Sequence, residues 1–309
     1  VIPTTCDLTR RLTHGTLCIL RPSALDPATR DVFGATGLDA RLGLGWHVVG
    51  IPDTLDADVT TWVHFAGTYG RPYDPDGDVV QARVWLDELM ANGHTVVHPA
   101  YVNRIPVNES CATLGPGGDD DDCAGLVRRE VLTGEDLSPH RDVAVADSVD
   151  HRLSVLLGHL QSEGVVLPDG LDPTVPDPTL LHFSGHSQGG NLAYFVARTR
   201  GAAFACMLGS PYDTWDTVDP PTPRIADWFV AGTSQTPVSA LGQVITAQDD
   251  NAVQFRRGAE VIGLTVGVEA FEVDAPPYRD DTGAEVSGHA ASLVDPALAA
   301  ARASACLRP

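Results

Sequence analysis

The run Gly185-His186-Ser187-Gln188-Gly189 follows the apolar stretch "TLLHFS" and precedes the helix-like "NLAYFVARTRG". A serine between glycines at a strand-to-helix corner suits nucleophilic chemistry. The glycines permit a tight turn, and the corner lifts the hydroxyl clear of the sheet. A plain structural turn is the competing reading, so the partners decide. A serine hydroxyl is a weak nucleophile near neutrality and needs a base. At such corners the acid and then the histidine follow the serine along the chain. Of eleven histidines only His289 lies beyond residue 187, in "EVSGHAASLVD", after the last strand-like run and before a helix-like one. His289 is the expected base; otherwise it is a solvated loop or cap residue.

The acid must hold the imidazole in one tautomer and stabilise its charged form. "VITAQDDNAV" ends a strand-like run with Asp249 and Asp250 and leads into the helix-like "AVQFRRGAEVIG". The spacing to Asn251, Ala252 and Val253 favours Asp250, with Asp249 as the alternative. Asp213, Asp216, Asp219 and Asp227 come earlier and read as solvated cap residues. A tetrahedral oxyanion needs backbone donors. Gln188 N–H is one, and "HFAGTYGRPYD" (64–74) offers the other at Thr68 or Tyr69. Candidate substrate-binding residues are His186, beside the corner, and Tyr101, Tyr212 and Trp215. Trp228 and Phe229 are further candidates to line or cover an apolar pocket. His64, His98 and His182 lie on or beside strands and read as core or pocket residues.

These side chains need a scaffold. Strand-like runs recur at 46–51, 60–67, 94–100, 179–185, 204–210, 242–248 and 268–274, with helix-like patterns between them. The clearest helix is "DVVQARVWLDELMANG" (78–93), with Val80, Val84, Leu86 and Leu89 near one face and Gly93 as a stop. Others span 147–164 and 191–201. Alternating strands and helices predict an α/β fold, a mostly parallel sheet with helices on both faces. Two Pro-, Gly- or Asp-rich insertions, near 101–140 and 210–240, follow strands and belong at the sheet's carboxyl edge, where ligands bind.

The net charge of -21, with no lysine among 309 residues, makes nucleic acid and anionic membranes poor partners. A salt-adapted source is one reading of that field; a GC-rich genome is the plainer one. No stretch approaches the roughly 20 consecutive apolar residues of a membrane helix, so a soluble protein is expected. The chain begins at Val1 without a basic-then-apolar leader, which suits a mature secreted form. Six cysteines without CxxC spacing favour disulfides over zinc. Of the 15 connectivities open to six cysteines, short separations favour Cys6 with Cys18 and Cys111 with Cys123, leaving Cys206 with Cys306. The acidic loop 119–122 lacks EF-hand spacing and reads as solvated, with calcium as the sharper alternative. "NES" at 108–110 matches a glycosylation sequon, and no phosphate-binding loop is present.

From about residue 44 to His289 the chain resembles the α/β-hydrolases, most closely bacterial secreted lipase- and esterase-like members with a "GHSQGG" elbow. The resemblance implies a Ser187-Asp250-His289 triad with Gln188 and Thr68 at the oxyanion hole. "HFAGTYG" stands where a plain His-Gly-Gly run is usual, which leaves Thr68 and Tyr69 both open. The expected organisation is an N-terminal extension (1–43) followed by one catalytic domain (44–309). The expected activity is carboxylic ester hydrolysis through an acyl-enzyme, by a monomer, without cofactor or metal. The substrate is an ester, with lipid, polyester and carbohydrate ester as alternatives. A non-catalytic binding module on a hydrolase scaffold is the reading from another class.

Overall fold

In the computed structural model, every residue is described except 32–43, 57, 113–121, 216–223, 281–282 and 309. All seven expected strands form. They are β3 (His47–Pro52), β4 (Thr61–Phe65), β5 (Thr95–His98), β6 (His182–His186), β7 (Phe204–Leu208), β8 (Leu241–Thr246) and β9 (Ala270–Val273). Five of them, β3, β4, β5, β7 and β8, are buried at every position. That is why they read as mostly apolar or β-branched runs, broken only by His47, His64, His98 and Gln243, and not as alternating ones. Two more strands precede them, β1 (Leu8–Arg11) and β2 (Gly15–Leu20). The segment read as an N-terminal extension (1–43) thus contributes two strands to the sheet.

Among the described residues one nine-stranded sheet runs in the order β1-β2-β3-β5-β4-β6-β7-β8-β9. From β5 to β9 all neighbours are parallel. The first three strands join antiparallel. Side chains alternate between two cores, as a period of two requires. Val63, Phe65, Val97, Phe183, Ala205 and Met207 face one core. There they meet α2 (Cys123–Thr133), α3 (Val149–Ser162) and α4 (Gln188–Arg200). Trp62, Val96, Phe204, Cys206 and Leu208 face the other, against α1 (Arg83–Ala91) and a C-terminal helix at Ala299–Cys306. Two further helices matter for the site: α5 (Ala252–Ile262) after β8, and α6 (Gly288–Val294) after β9. This is the α/β-hydrolase fold expected from the sequence: helices on both faces of a mostly parallel sheet, with a serine corner after a central strand.

The cysteines pair as their separations favour: Cys6–Cys18, Cys111–Cys123 and Cys206–Cys306. Thiol titration of the denatured, unreduced protein is expected to find none free. Reduction is expected to lower the melting temperature by on the order of 10 °C, dominated by the bond that closes the longest loop. Several reactive thiols before reduction would contradict the pairing. Among the described residues no helix is long and apolar enough to cross a membrane.

Candidate active site

β6 ends at His186, α4 begins at Gln188, and Ser187 is the single residue between them. It adopts φ 56°, ψ −124°, a left-handed backbone that costs a non-glycine residue on the order of 1–3 kcal/mol. Neighbouring contacts hold it there. Ser187 N donates to Leu208 O in β7 (2.9 Å), and Ser187 O accepts from Gly190 N and Asn191 N (3.0 and 3.1 Å). Close approach requires the glycine at 189, because a Cβ there would lie 2.1 Å from Phe65 O. The flanking glycine thus lets α4 press against the end of β4.

His289 stands in the first turn of α6, where Ser287 Oγ caps Ala290 N at 3.2 Å. A second glycine matters here: a Cβ on Gly288 would lie 2.7 Å from the Gln248 carbonyl. The segments that carry His289 and Asp249 can therefore touch. Thr246 Oγ1 donates to Gly288 O (2.8 Å), fixing α6 to the end of β8.

The aspartate on His289 is Asp249: its Oδ2 lies 2.7 Å from His289 Nδ1, and its side chain is fully buried. Asp250, the favoured candidate, is exposed. The reason is the connection between strand and helix. β8 stops at Thr246 and α5 starts at Ala252, with a turn between them. Asp249 Oδ1 accepts Asn251 N at 2.9 Å, which turns the carboxylate inward and its successor outward. Burial pushes the Asp249 carboxyl up, but its hydrogen bond with His289, the imidazole's charge and the Asn251 donors outweigh that and hold it below the ordinary range.

The turn after β4 is clamped from the first insertion. Asn103 Nδ2 donates to Gly67 O (2.7 Å) and Gly70 O (2.9 Å). Asn103 O accepts Tyr69 N at 3.1 Å, so Tyr69 N–H is already paired. Thr68 N–H finds no acceptor among the described residues. Gln188 N–H opens α4, where a helix leaves its first donors unpaired. The Gln188 side chain joins the two segments: its Oε1 accepts from Thr68 Oγ1 (3.2 Å) and from Val107 N (3.0 Å).

The structure separates the candidate substrate-binding residues. Tyr212 is at the site, its hydroxyl 3.3 Å from Ser187 Oγ. His186 is within hydrogen-bond reach of His289 O, at 2.9 Å from its Nε2, and also lines a crevice of about 600 Å³. Val79, Val80, Val84, Val286, Ala290 and Leu293 contribute to its walls. Tyr101 is corrected to a core residue that supports the turn: it is buried and donates its hydroxyl to Ala66 O at 2.6 Å. Trp228 and Phe229 are likewise buried, against Tyr194. Trp215 has its backbone in a short ladder, and its side chain lies outside the described residues, as do Asp216 and Asp219.

Asp213, read as a solvated cap, is buried and pairs with Arg128 through two hydrogen bonds. It also accepts Trp228 Nε1 at 2.9 Å, and Arg128 reaches Gln188 O at 3.4 Å. This pair joins the two insertions behind the Ser187 corner. Asn103 and Arg128 carry no local sequence signal, since their partners are tens of residues away. Most of the acidic run 119–122 lies outside the described residues, and among the described residues no cluster of His, Cys, Asp and Glu could hold a metal ion.

Buried and half-buried histidines lie along the central strands, with His98 ending β5 and His182 and His186 opening and closing β6. Burial lowers His186 and His182 to about 4 and His98 to about 3. An unfolded chain protonates its histidines near 6.5. Below that pH the unfolded state takes up protons that the folded state refuses, so stability falls as pH falls. Melting temperature is expected to be level above about pH 7 and to drop steeply between about pH 6 and 4. A flat profile down to pH 4 in a buffer series would contradict the buried neutral histidines.

No protein-family model matches the chain, and no curated protein matches it. Solved structures do. A thermophilic carboxylesterase cloned from a metagenomic library is 15% identical, covering 93% of this chain and 94% of its own, with a TM-score of 0.41. Esterase B of Lactobacillus rhamnosis is 12% identical over 82% of this chain and 78% of its own, with a TM-score of 0.38. A serine hydrolase without a lid from Xanthomonas campestris is 13% identical over 85% of this chain and 84% of its own, with a TM-score of 0.33.

Proposed function

We propose that this chain is a secreted serine hydrolase that cleaves carboxylic esters. The observations that carry the reading are a strained serine corner, Ser187 at φ 56°, and a half-buried His289 whose Nδ1 lies 2.7 Å from the buried Asp249 carboxylate, with Tyr212 in ring contact with His289 and its hydroxyl 3.3 Å from Ser187 Oγ. Backbone strain of this kind persists where a side chain must be displayed. Ser187 Oγ attacks the ester carbonyl, and His289 takes the serine proton at Nε2. Asp249, on Nδ1, fixes the tautomer and stabilises the imidazolium. The oxyanion takes the N–H groups of Gln188 and Thr68. His289 passes the proton to the departing alkoxide, and water then repeats the sequence on the acyl-enzyme. The scheme needs no cofactor.

The apolar crevice beside His186 supports an ester with a hydrophobic limb. Three disulfides support an oxidising compartment, hence secretion. The experiment is a panel of p-nitrophenyl esters of increasing chain length, run beside an emulsified triglyceride and a polyester film. Hydrolysis that rises with acyl length supports the crevice as the binding surface. Failure to turn over any of them, with no labelling by a serine-directed phosphonate, defeats the proposal.

A further inference from the structure

Tyr212 has no place in the scheme above, yet among the described residues its hydroxyl is the one side-chain group within hydrogen-bond distance of Ser187 Oγ, at 3.3 Å. Its position is tightly determined. Tyr212 N donates to Asn191 Oδ1 at 2.7 Å, and Asn191 N donates to Ser187 O at 3.1 Å, so tyrosine and serine are anchored to the same turn of α4. The ring meets Phe255 edge-on (centroids 5.2 Å) and His289 at 6.4 Å. The next residue, Asp213, is held by Arg128.

Topology separates this hydroxyl from the oxyanion donors. β6 lies between β4 and β7 in the sheet. The Thr68 turn follows β4 and Tyr212 follows β7, so they approach the corner from opposite flanks. A donor on the β7 flank addresses Ser187 Oγ itself and not the carbonyl oxygen. Donors aimed where charge develops stabilise a transition state most.

We propose that Tyr212 is a further catalytic residue whose hydroxyl donates to Ser187 Oγ while that oxygen carries negative charge. The inference rests on Ser187 being the nucleophile. Charge builds on Oγ twice, as it attacks the ester and as it leaves the acyl-enzyme. In the first step the Oγ–C bond forms, the serine proton moves to His289 Nε2, and the proton goes on to the leaving alkoxide. In the second, water adds to the acyl carbon and gives a proton to His289. The Oγ–C bond then breaks, and that proton returns to Oγ. Tyr212 keeps its own proton throughout. Burial pushes its phenol above the ordinary range, which keeps it a donor at working pH.

Tyr212→Phe tests this, because it removes the hydroxyl and leaves the ring against Phe255. The expected result is a kcat/KM lower by about 10- to 100-fold, with KM within about threefold and the melting temperature within about 2 °C. Labelling by a small serine-directed phosphonate should slow in the same proportion, since it needs Oγ attack and little substrate binding. A kcat/KM and labelling rate within twofold of wild type would overturn the inference. So would a raised KM with unchanged labelling, which would make Tyr212 a substrate-binding residue only. Wild-type protein that takes no label and cleaves no ester defeats the proposed function, whereas an active wild type with an unaffected Tyr212→Phe defeats this inference alone.

Discussion

Ser187→Ala is expected to abolish ester hydrolysis, lowering kcat on the order of 10⁴- to 10⁶-fold, and to leave the melting temperature within about 2 °C. The catalytic loss is large because the substitution removes the oxygen that would form the acyl bond. Stability is spared because the backbone strain at φ 56° is the same for alanine as for serine, and Ser187 Oγ contributes one long hydrogen bond, to Tyr212. A serine-directed phosphonate should add once to the wild type and not at all to the variant, as read by intact mass. An adduct on the variant, or surviving turnover, would move the nucleophile elsewhere.

The second large effect falls on the acid. Asp249→Asn should lower kcat by a factor on the order of 10⁴. An asparagine there can still accept Asn251 N through its amide oxygen, as Asp249 Oδ1 does. Its NH₂ then faces His289 Nδ1, which forces the imidazole into the tautomer whose Nε2 carries the proton and cannot accept one from serine. Asp250→Asn, on an exposed side chain, should change kcat by less than about twofold, since a screened charge at the surface acts weakly. Parallel kcat measurements on the two variants decide the matter. A larger loss in Asp250→Asn would mean that the Asp249 contact does not operate in turnover.

That pair also marks where sequence reading reached its limit. The strands were legible because a strand buried on both faces is mostly apolar, as Thr61–Phe65 is apart from Thr61 and His64 and Phe204–Leu208 is throughout. The strand-to-helix corner at Ser187 was legible because it needs glycines, and His289 stood out because one histidine alone lies downstream; the roles given to both are the proposal made above. Choosing between Asp249 and Asp250 required knowing where β8 stops, and strand parity no longer predicts direction once the chain has entered a turn. The helix read over 78–93 begins only at Arg83, because Val79–Val80 form a short ladder and Ala82 turns left-handed at φ 59°. Tyr101, Trp228 and Phe229 occur in polar, proline-rich surroundings that read as a substrate pocket. Their large apolar surfaces are used instead to anchor the insertions to the core. The Arg128–Asp213 pair spans 85 residues and exists only in the tertiary structure.

The Cys206–Cys306 bond ties a central strand to the C-terminal helix across 100 residues. Asp249 and His289 both lie within the covalent ring it closes, while Ser187 lies outside. The surface-exposed residues Pro276, Pro277 and Gly283–Glu285 are also in the ring. A protease cutting there linearises the ring without dividing the molecule. The severed piece carrying His289 stays tethered through Cys306, and the two fragments part only when a reductant is added. Cleavage at this loop and physical loss of His289 are thus made separate events, and a clipped chain with its disulfides intact keeps Ser187, Asp249 and His289 in one covalent body.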